Sequence, residues 1–526
     1  MNRRKFLKGL AGTAAAITVG PSLGSALRAE ETPAKKPVNL LFVLADQWRF
    51  SAFSAGGPAQ AMDEVVSTPT FDRLAGEGAR FTRCYATNPV CTPNRSCILT
   101  SRFSHQHGMI FNNIMLPPGN RCLAEPFAEA GYNTHYIGKW HMDGAPKPGF
   151  VPPGWRRRGF ATFEGFNRGH LYHNSQTFSD GGELLHPKQY EPTYQADRAI
   201  EFMKRSKGEN KPFFCYLSWG PPHTPYRPPK DFDIYDPAKL KSRPNVPGNL
   251  RESPQVRRNL AGYYGLCTSL DHELGRVLGA LSELSLAEDT LVVFTADHGD
   301  MHASHGLYFK GKPQEESVHV PLLMRLPGRI RSGQNVQTLT SSIDLMPTML
   351  SICGLKAPST CVGKDLSGAA IGEKAPEVDS VYSQGAMRAG LKAAGKGAPK
   401  EPDPNRAAKK AEKRGGKKRG VAADGGDAAG EGAGEAADRS EWRAVVTPTH
   451  KLTLRVPDGK VESLYDLEHD PYEQKNLVDE RQHAALLGHM MDLAKQWAKE
   501  TGDPFPNPAT PAKALYSDEE ARHARG

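Results

Sequence analysis

The 526-residue chain has little that resembles a membrane span. Its uncharged run from Ala11 to Leu27 is dominated by Gly, Ala and Thr, contains Pro21, and is barely long enough to cross a bilayer, which argues against a stable membrane anchor. Cysteine is sparse too. There are eight, and the spacings Cys91 to Cys97 and Cys353 to Cys361 match no metal knuckle, so a structural zinc finger or ribbon is excluded and no disulfide can be assigned. Residues 391 to 440 hold no aromatic side chain and consist mostly of Ala, Gly, Lys, Arg, Asp and Glu. They cannot bury enough apolar surface to offset the entropy of ordering, and read as a disordered charged insert. The body of the chain also lacks a basic surplus. Of the formal +9, the first 29 residues supply five basic and no acidic side chains, and residues 391 to 420 supply 11 against 3, which leaves the remainder near −4. The charge balance therefore gives no argument for a nucleic-acid partner.

What is present begins with Arg3 and Arg4, followed by Phe6, Leu7 and the Ala/Gly-rich run. Residues 1–29 read as a twin-arginine export signal with cleavage near Ala26 or Ala29, placing the mature protein in the periplasm or outside the cell. The length suits a large domain, 36–375, and a smaller one, 376–526, interrupted by the insert 391–440.

Four apolar runs of strand length end in chemistry-bearing residues. VNLLFVLADQW leads to Asp46 and Gln47, TLVVFTADHGD to Asp297 and His298, KPFFCYLSWGPPH to His223, and YNTHYIGKWH to Lys139 and His141. Uninterrupted apolar strands predict a sheet covered on both faces, and ligands gather at the carboxyl edge of such sheets. An Asp after a strand is ordinarily a turn or a cap, and a lone His or Lys is ordinarily structural or solvated. Repetition at four strand ends points instead to one functional edge.

Between the first two of these runs lies NPVCTPNRSCILTSR, Asn88 to Arg102. Pro93 suits a first helical position with Thr92 as cap. Cys91 is thereby placed at a helix N-terminus, where a developing anion is favoured, with Arg95 one turn on. That environment suits a nucleophile acting on a charged ester. Helices are predicted over Tyr194 to Lys207, Tyr263 to Leu281, Ser342 to Leu355 and Arg481 to Lys499, and a hairpin-like strand over Trp442 to Val456. The long irregular segment Pro146 to His173, with its aromatic residues and arginines, is placed to shape a pocket.

C-T-P-N-R-S followed by L-T-S-R resembles the type I sulfatase motif C-x-P-x-R…T-G-R, with Ser101 where Gly is usual. G-K-W-H at Gly138–His141, P-P-H-T-P at Pro221–Pro225, A-D-H-G at Ala296–Gly299, I-D-L-M-P-T-M-L at Ile343–Leu350 and LYDLEHDPYEQKNL at Leu464–Leu477 resemble further segments of that family, which lies within the alkaline phosphatase superfamily. The resemblance implies an α/β fold: a large domain with a central mixed, mostly parallel sheet covered by helices, and a smaller α+β C-terminal domain with a four-stranded antiparallel sheet. It implies that Cys91 is oxidised to formylglycine by a formylglycine-generating enzyme, and that the hydrated aldehyde is the nucleophile. Asp46, Gln47, Asp297, His298 and residue 91 would bind a divalent metal, Ca²⁺ by preference with Mn²⁺ competitive because of the imidazole. Many relatives carry Asp at the position of Gln47 and Asn at that of His298. Arg95, Lys139 and Lys310 would stabilise charge, His223 would protonate the departing alcohol, and His141 would act as base in the second half-reaction. Lys139, His223 and Lys310 would contact the substrate, a sulfated small molecule or glycan, and Asn112 or Asn113, about twenty residues past Cys91, is placed to join them. A phosphonate or phosphate ester hydrolase on the same scaffold, and a secreted sugar-binding protein with an inactive site, are the alternatives.

Overall fold

A computed structural model describes residues 36–54, 66–387, 441–456 and 458–505. The export signal read at 1–29 and the insert read at 391–440 lie outside these residues. Among the described residues, the first sheet has eleven strands: β1 (Asn39–Asp46), β2 (Ala79–Tyr85), β3 (Asn133–Lys139), β4 (Thr162–Phe166), β5 (Thr177–Phe178), β6 (Leu184–Leu185), β7 (Phe213–Pro222), β8 (Thr290–Ala296), β9 (His319–Arg325), β10 (Gln334–Val336) and β11 (Thr340–Ser341). Their order is β10-β2-β9-β8-β1-β7-β3-β4-β5-β6, with β11 beside β2. β1 pairs parallel with both β7 and β8, and β7 parallel with β3, whereas β9 runs antiparallel to β8 and β2.

Every residue of β1, β7 and β8 is buried, as expected of strands covered on both faces. The predicted helix at 194–207 runs from Glu191 to Gly208, entered through Pro192. The one predicted at 263–281 is the latter part of Pro254–Glu283, with Pro254 at the first position, where its missing N–H leaves nothing unsatisfied. The two pack on each other and on β7. The segment predicted as a helix at 342–355 divides into a 3₁₀ turn, Ser342–Asp344, and a helix, Leu345–Ile352. No described helix is long and apolar enough to cross a membrane. All eight cysteines are free thiols.

A second, antiparallel sheet has the order β12-β13-β14-β15, formed by β12 (Val381–Gly385), β13 (Glu441–Val446), β14 (His450–Val456) and β15 (Val461–Asp466). The stretch predicted to alternate over 442–456 supplies both β13 and β14, and a helix, Ala484–Thr501, packs against them. This sheet is tied to the first by Gln384 N donating to Thr87 O (2.8 Å), Ser383 Oγ to Ala86 O (2.9 Å) and Trp442 Nε1 to Gly311 O (3.1 Å). Beyond the last helix, Asp503 turns inward and accepts from Arg443 Nε (2.6 Å) and Nη2 (3.1 Å), from Tyr382 Oη (3.1 Å) and from Gln384 Nε2.

Burial alone would raise the Asp503 pKa, but Arg443 beside it holds the carboxyl down at about 2. Its folded pKa lies below the unfolded value, so its contribution is complete above about pH 4 and is lost as pH falls toward 2. Asp503→Ala leaves the buried Arg443 guanidinium with Glu441, 3.0 Å from Nη2, as its remaining carboxylate. The expected loss in urea unfolding at pH 7 is about 1.5–3 kcal/mol, and it shrinks toward pH 2.

Candidate active site

The carboxyl ends of β1, β3, β7 and β8 converge on the N-terminus of the helix Cys91–Thr100, which is buried along its whole length. That helix begins two residues earlier than the sequence predicts. Val90 is the N-cap, Cys91 is the first helical residue, and Pro93 occupies the third position, where its missing N–H is one of the four that have no intrahelical acceptor in any case. Thr92 is no cap. Its Oγ1 donates to His141 O (2.7 Å), and its amide is satisfied by Asn112 Oδ1 (3.0 Å). At the other end Ser101 adopts φ 53°, the left-handed conformation that explains why glycine is usual there. The serine is held by donating to Ile343 O (2.7 Å) and accepting from Gly363 N (3.1 Å).

Arg95 binds the strand ends together. Its Nε donates to Asp297 Oδ2 (2.8 Å), Nη2 to Asp46 Oδ2 (3.1 Å), and Nη1 to Lys139 O (2.9 Å) and Ser218 Oγ (2.7 Å). Asp46 also receives Lys139 Nζ at 2.6 Å. Burial alone would push the Asp46 carboxyl up, but Lys139, His223, Arg95 and His298 hold it well below the usual range.

Cys91 Sγ lies 3.2 Å from His298 Nε2, 3.3 Å from Lys310 Nζ and 3.7 Å from Asp46 Oδ1. Burial and the Asp46 carboxylate push the thiol up, yet Lys139, Lys310 and His298 outweigh them and its pKa falls below the ordinary value. His298 Nδ1 faces Gly299 O at 3.0 Å, which places a proton there, and Nε2 is turned inward. Burial would lower the imidazole pKa, but Asp297 and Cys91 raise it above the ordinary value, so a bound cation would take the place of a proton on Nε2. Nε2 is 3.6 Å from both Asp46 Oδ1 and Asp297 Oδ1. Asp46, Cys91, Asp297 and His298 thus bring one donor atom each within 4.8 Å of one another, a buried Asp/Cys/Asp/His set that fits a divalent cation. Gln47, at φ 71°, donates its backbone amide to Asp297 Oδ1 (3.1 Å) and its Nε2 to Asp300 Oδ2 (2.6 Å), and turns its Oε1 to Lys310 Nζ (3.3 Å).

Lys310 reaches the site from the segment after β8 and contacts Gln47 Oε1, Cys91 Sγ and His223 Nε2 (2.6 Å). Burial would lower its pKa, but the charges at Cys91, Asp46 and Asp297 raise it, so it stays an ammonium. His223 Nδ1 faces Thr224 O (2.7 Å), which leaves Nε2 to accept from Lys310. Burial and the Lys310 charge hold this imidazole neutral. His170 stacks on it, rings 3.7 Å apart and 5° from parallel, and meets Lys139 Nζ at 3.3 Å. His141 stands at the rim, Nε2 bonded to Asn113 Oδ1 (3.0 Å), while its buried Nδ1 has no protein partner. Burial, with Lys139 and Arg95, keeps it neutral. Of the residues expected in the site, nine interlock directly. His141 and Asn112 flank them through Thr92.

A family model described as Sulfatase matches residues 38–355. The chain belongs to the sulfatase family. Its relatives include the ulvan-active sulfatase of Formosa agariphila, 33% identical over 335 residues that cover 62% of this chain and 64% of that one. The endo-4-O-sulfatase of Bacteroides thetaiotaomicron is 30% identical over 379 residues, covering 64% and 74%. The crystal structure of the sulfatase yidJ from Bacteroides fragilis superposes with a TM-score of 0.73 at 25% identity, covering 91% of this chain and 98% of the other. A phosphonate monoester hydrolase from Silicibacter pomeroyi shares the fold (TM-score 0.63, 22% identity, 88% and 96% covered). The two-sheet architecture is accordingly that of the sulfatases within the alkaline phosphatase superfamily, a family of sulfuric ester hydrolases.

Sequence reasoning missed Asn94, Ser218, His170 and Asp300. Asn94, inside the C-x-P-x-R segment, accepts Thr87 N (3.1 Å) at Oδ1 and donates to Asp297 O (2.6 Å) and Ser342 Oγ (3.1 Å), fixing the sulfatase helix to the end of β8. Asn94→Ala strands these buried groups, so denaturant unfolding is expected to show a loss of about 2–4 kcal/mol, with the transition still cooperative.

Proposed function

We propose that this sulfatase is an exported hydrolase of sulfate monoesters on carbohydrates, with Cys91 converted to formylglycine by a formylglycine-generating enzyme during maturation. The observation that carries this reading is Lys310: a half-buried ammonium whose direct contacts are a thiol, a neutral imidazole nitrogen and an amide oxygen. Such a cation calls for an anionic ligand beside residue 91. Relatives named as ulvan-active and N-acetylglucosamine-6-O-sulfatases support a sulfated glycan, and Arg3 and Arg4 before the apolar run support twin-arginine export.

Asp46, Gln47, Asp297 and His298, with residue 91, hold the divalent cation in this reading. When bound, the cation supplies Lewis-acid charge that draws a sulfate oxygen and favours a deprotonated nucleophile. Calcium suits the oxygen donors, and the His298 imidazole makes manganese competitive. The protein's own groups do the rest. Lys139 and Lys310 hold charge that grows on the sulfate oxygens in the transition state. The alcohol oxygen leaves with a proton from the Lys310–His223 pair, in which Lys310 Nζ carries the proton and His223 Nε2 accepts it. His141, neutral, with Nε2 committed to Asn113 and Nδ1 unbonded, takes up a proton at Nδ1 when residue 91 is regenerated. A phosphate or phosphonate ester is the second reading, favoured by the neutral Gln47 amide where a carboxylate is usual.

Peptide mass spectrometry of protein from its native host is expected to show an aldehyde or its hydrate in place of the Cys91 thiol. Cys91→Ala is expected to lower turnover of 4-nitrophenyl sulfate by a factor on the order of 10⁴ or more. An unmodified thiol in folded, exported and active protein overturns the reading.

Protein stripped with a chelator is expected to lose activity and to regain it with Ca²⁺. At 100 times the Kd, the ion adds about 2.7 kcal/mol to unfolding, and His298→Ala is expected to weaken Mn²⁺ more than Ca²⁺ in calorimetric titration.

A further inference from the structure

The rim of the site holds a cation that the chemistry above does not use. Arg168 follows β4, a strand that the structure places inside the 146–173 segment expected to be irregular, together with a 3₁₀ turn at Trp155–Arg157. Its Nε donates to Ala145 O (2.9 Å) and its Nη1 to Asn113 Oδ1 (3.0 Å). Asn113 Oδ1 is the same oxygen that His141 Nε2 contacts at 3.0 Å. Two donors converging on one acceptor at these distances leave the guanidinium and the His141 imidazole no more than about 6 Å apart. Two of the five guanidinium N–H groups are used, both on neutral carbonyl oxygens. No carboxylate lies within ion-pair distance of Arg168, and Nη2 has no protein partner among the described residues. Of the other arginines in the segment, Arg156 is paired with Asp143 at 2.7 Å and Arg157 with Asp180 at 2.5 Å, whereas Arg158 spends both Nη groups on the carbonyls of Leu116 and Pro118. Arg168 is half-buried and Asn113 exposed, so the unused edge of the fork lies at the solvent-facing mouth of the site.

We infer that Arg168 is a specificity residue that binds a second oxyanion of the substrate, a uronate carboxylate or an additional sulfate on the sugar next to the sulfate being cleaved. The inference rests on the sulfatase reading, because His141 marks the reacting position. The guanidinium is held at two points by neutral acceptors, so its orientation is set while its charge is left uncompensated. A planar fork with free N–H groups on one edge matches the paired oxygens of a carboxylate or sulfate. Arg168 reaches His141 only through Asn113, so it stands beside the reacting position and not on it. Phe111, exposed on the same loop as Asn113, offers that ring an apolar face.

The test uses full-length, metal-loaded protein with residue 91 converted, and three sulfated disaccharides that differ on the neighbouring sugar: a carboxylate, a second sulfate, or the neutral alcohol. The readout is the ratio of kcat/KM for each anionic substrate to that for the neutral one. Because Arg168 also braces Asn113, absolute rates can change in a variant, whereas the ratio isolates recognition of the second anion. The wild-type ratio is expected to exceed about 10-fold, the scale of a charge-assisted bidentate contact. Arg168→Ala is expected to bring it to within about 2-fold of unity, and Arg168→Lys to keep an intermediate value. Whichever anion gives the higher wild-type ratio identifies the substituent. A wild-type ratio near unity for both anions, or an unchanged ratio in Arg168→Ala, overturns the inference. If no sulfate ester is turned over at all, the sulfatase reading fails. Calorimetric affinities of the same three disaccharides for wild type and Arg168→Ala then decide the Arg168 inference by the same ratio.

Discussion

One buried guanidinium organises this site. Arg95 reaches all four converging strands: the carboxylate that ends β1, the carboxylate that follows β8, the last carbonyl of β3 and the Ser218 hydroxyl in β7. Two carboxylates at the ends of wholly buried strands would repel each other and carry a large desolvation cost. A planar cation with donors spread over a rigid fork meets both at once, which a lysine, with one point charge, could not do at two separate strand ends. Because Arg95 stands four residues into the helix that begins with Cys91, the same contacts fix where residue 91 lies relative to Asp46, Asp297 and His298. Removing this side chain would leave two anions uncompensated and the helix N-terminus without a reference position. The catalytic geometry and the stability of the sheet edge therefore cannot be separated.

That dependence explains which parts of the site could be read from the residues. Asp46, Lys139, His223 and Asp297 each follow a run of apolar residues whose length and uniformity mark a buried strand, and parallel strands in one sheet present their carboxyl ends on the same side. Their convergence follows from periodicity and topology rules alone. Cys91, Arg95 and Lys310 were legible through family motifs. Asn94, Ser218, His170 and Asp300 were not, for differing physical reasons. Ser218 sits in the middle of an apolar strand, and only the register of β7 against β3 brings its hydroxyl under Arg95. His170 depends on the path of an irregular segment that has no period to follow. Asn94 lay inside the quoted motif, but its importance comes from hydrogen bonds to residues some 200 positions away. The helix start was misplaced for a related reason. Pro93 is tolerated anywhere in the first turn, so its presence locates the turn and not the first residue.

Charge is distributed so that, of the three amine and guanidinium cations at the site, Arg95 and Lys139 are already committed. Arg95 bonds both carboxylates and Lys139 bonds Asp46 at 2.6 Å, which leaves Lys310 as the cation that contacts only neutral groups or the thiol. The neutrality of His223 and His141 follows from the same surplus. An imidazole buried against an ammonium or a guanidinium cannot afford a second positive charge, and burial acts in the same direction. A neutral imidazole with one nitrogen fixed by a carbonyl or amide oxygen has a defined lone pair on the other. In His223 that lone pair meets Lys310, and in His141 it is unbonded. Two histidines in similar surroundings thus differ in their hydrogen bonding, one accepting from a charged amine and one with an unbonded acceptor nitrogen, which is what the proposed mechanism uses.

Gln47 shows how a single neutral side chain shifts this balance. A carboxylate at this position would add negative charge near Lys310 and oppose the anion that the proposed reading brings there. The amide oxygen contacts Lys310 at 3.3 Å without neutralising it, and its orientation is fixed from behind: Asp300 Oδ2 accepts Gln47 Nε2 at 2.6 Å and also receives the Tyr226 hydroxyl. The negative charge is in effect moved one layer outward, from the position that the proposed reading gives a metal ligand to a supporting one. The inner cluster then holds two carboxylates where a Gln47→Asp variant would hold three, so it attracts a divalent cation less strongly and an anionic ester more strongly. That exchange is a physical reason for a site of this composition to favour a substrate carrying more negative charge than a simple sulfate monoester, whether on the reacting group or, as with the unpaired Arg168, on the sugar beside it.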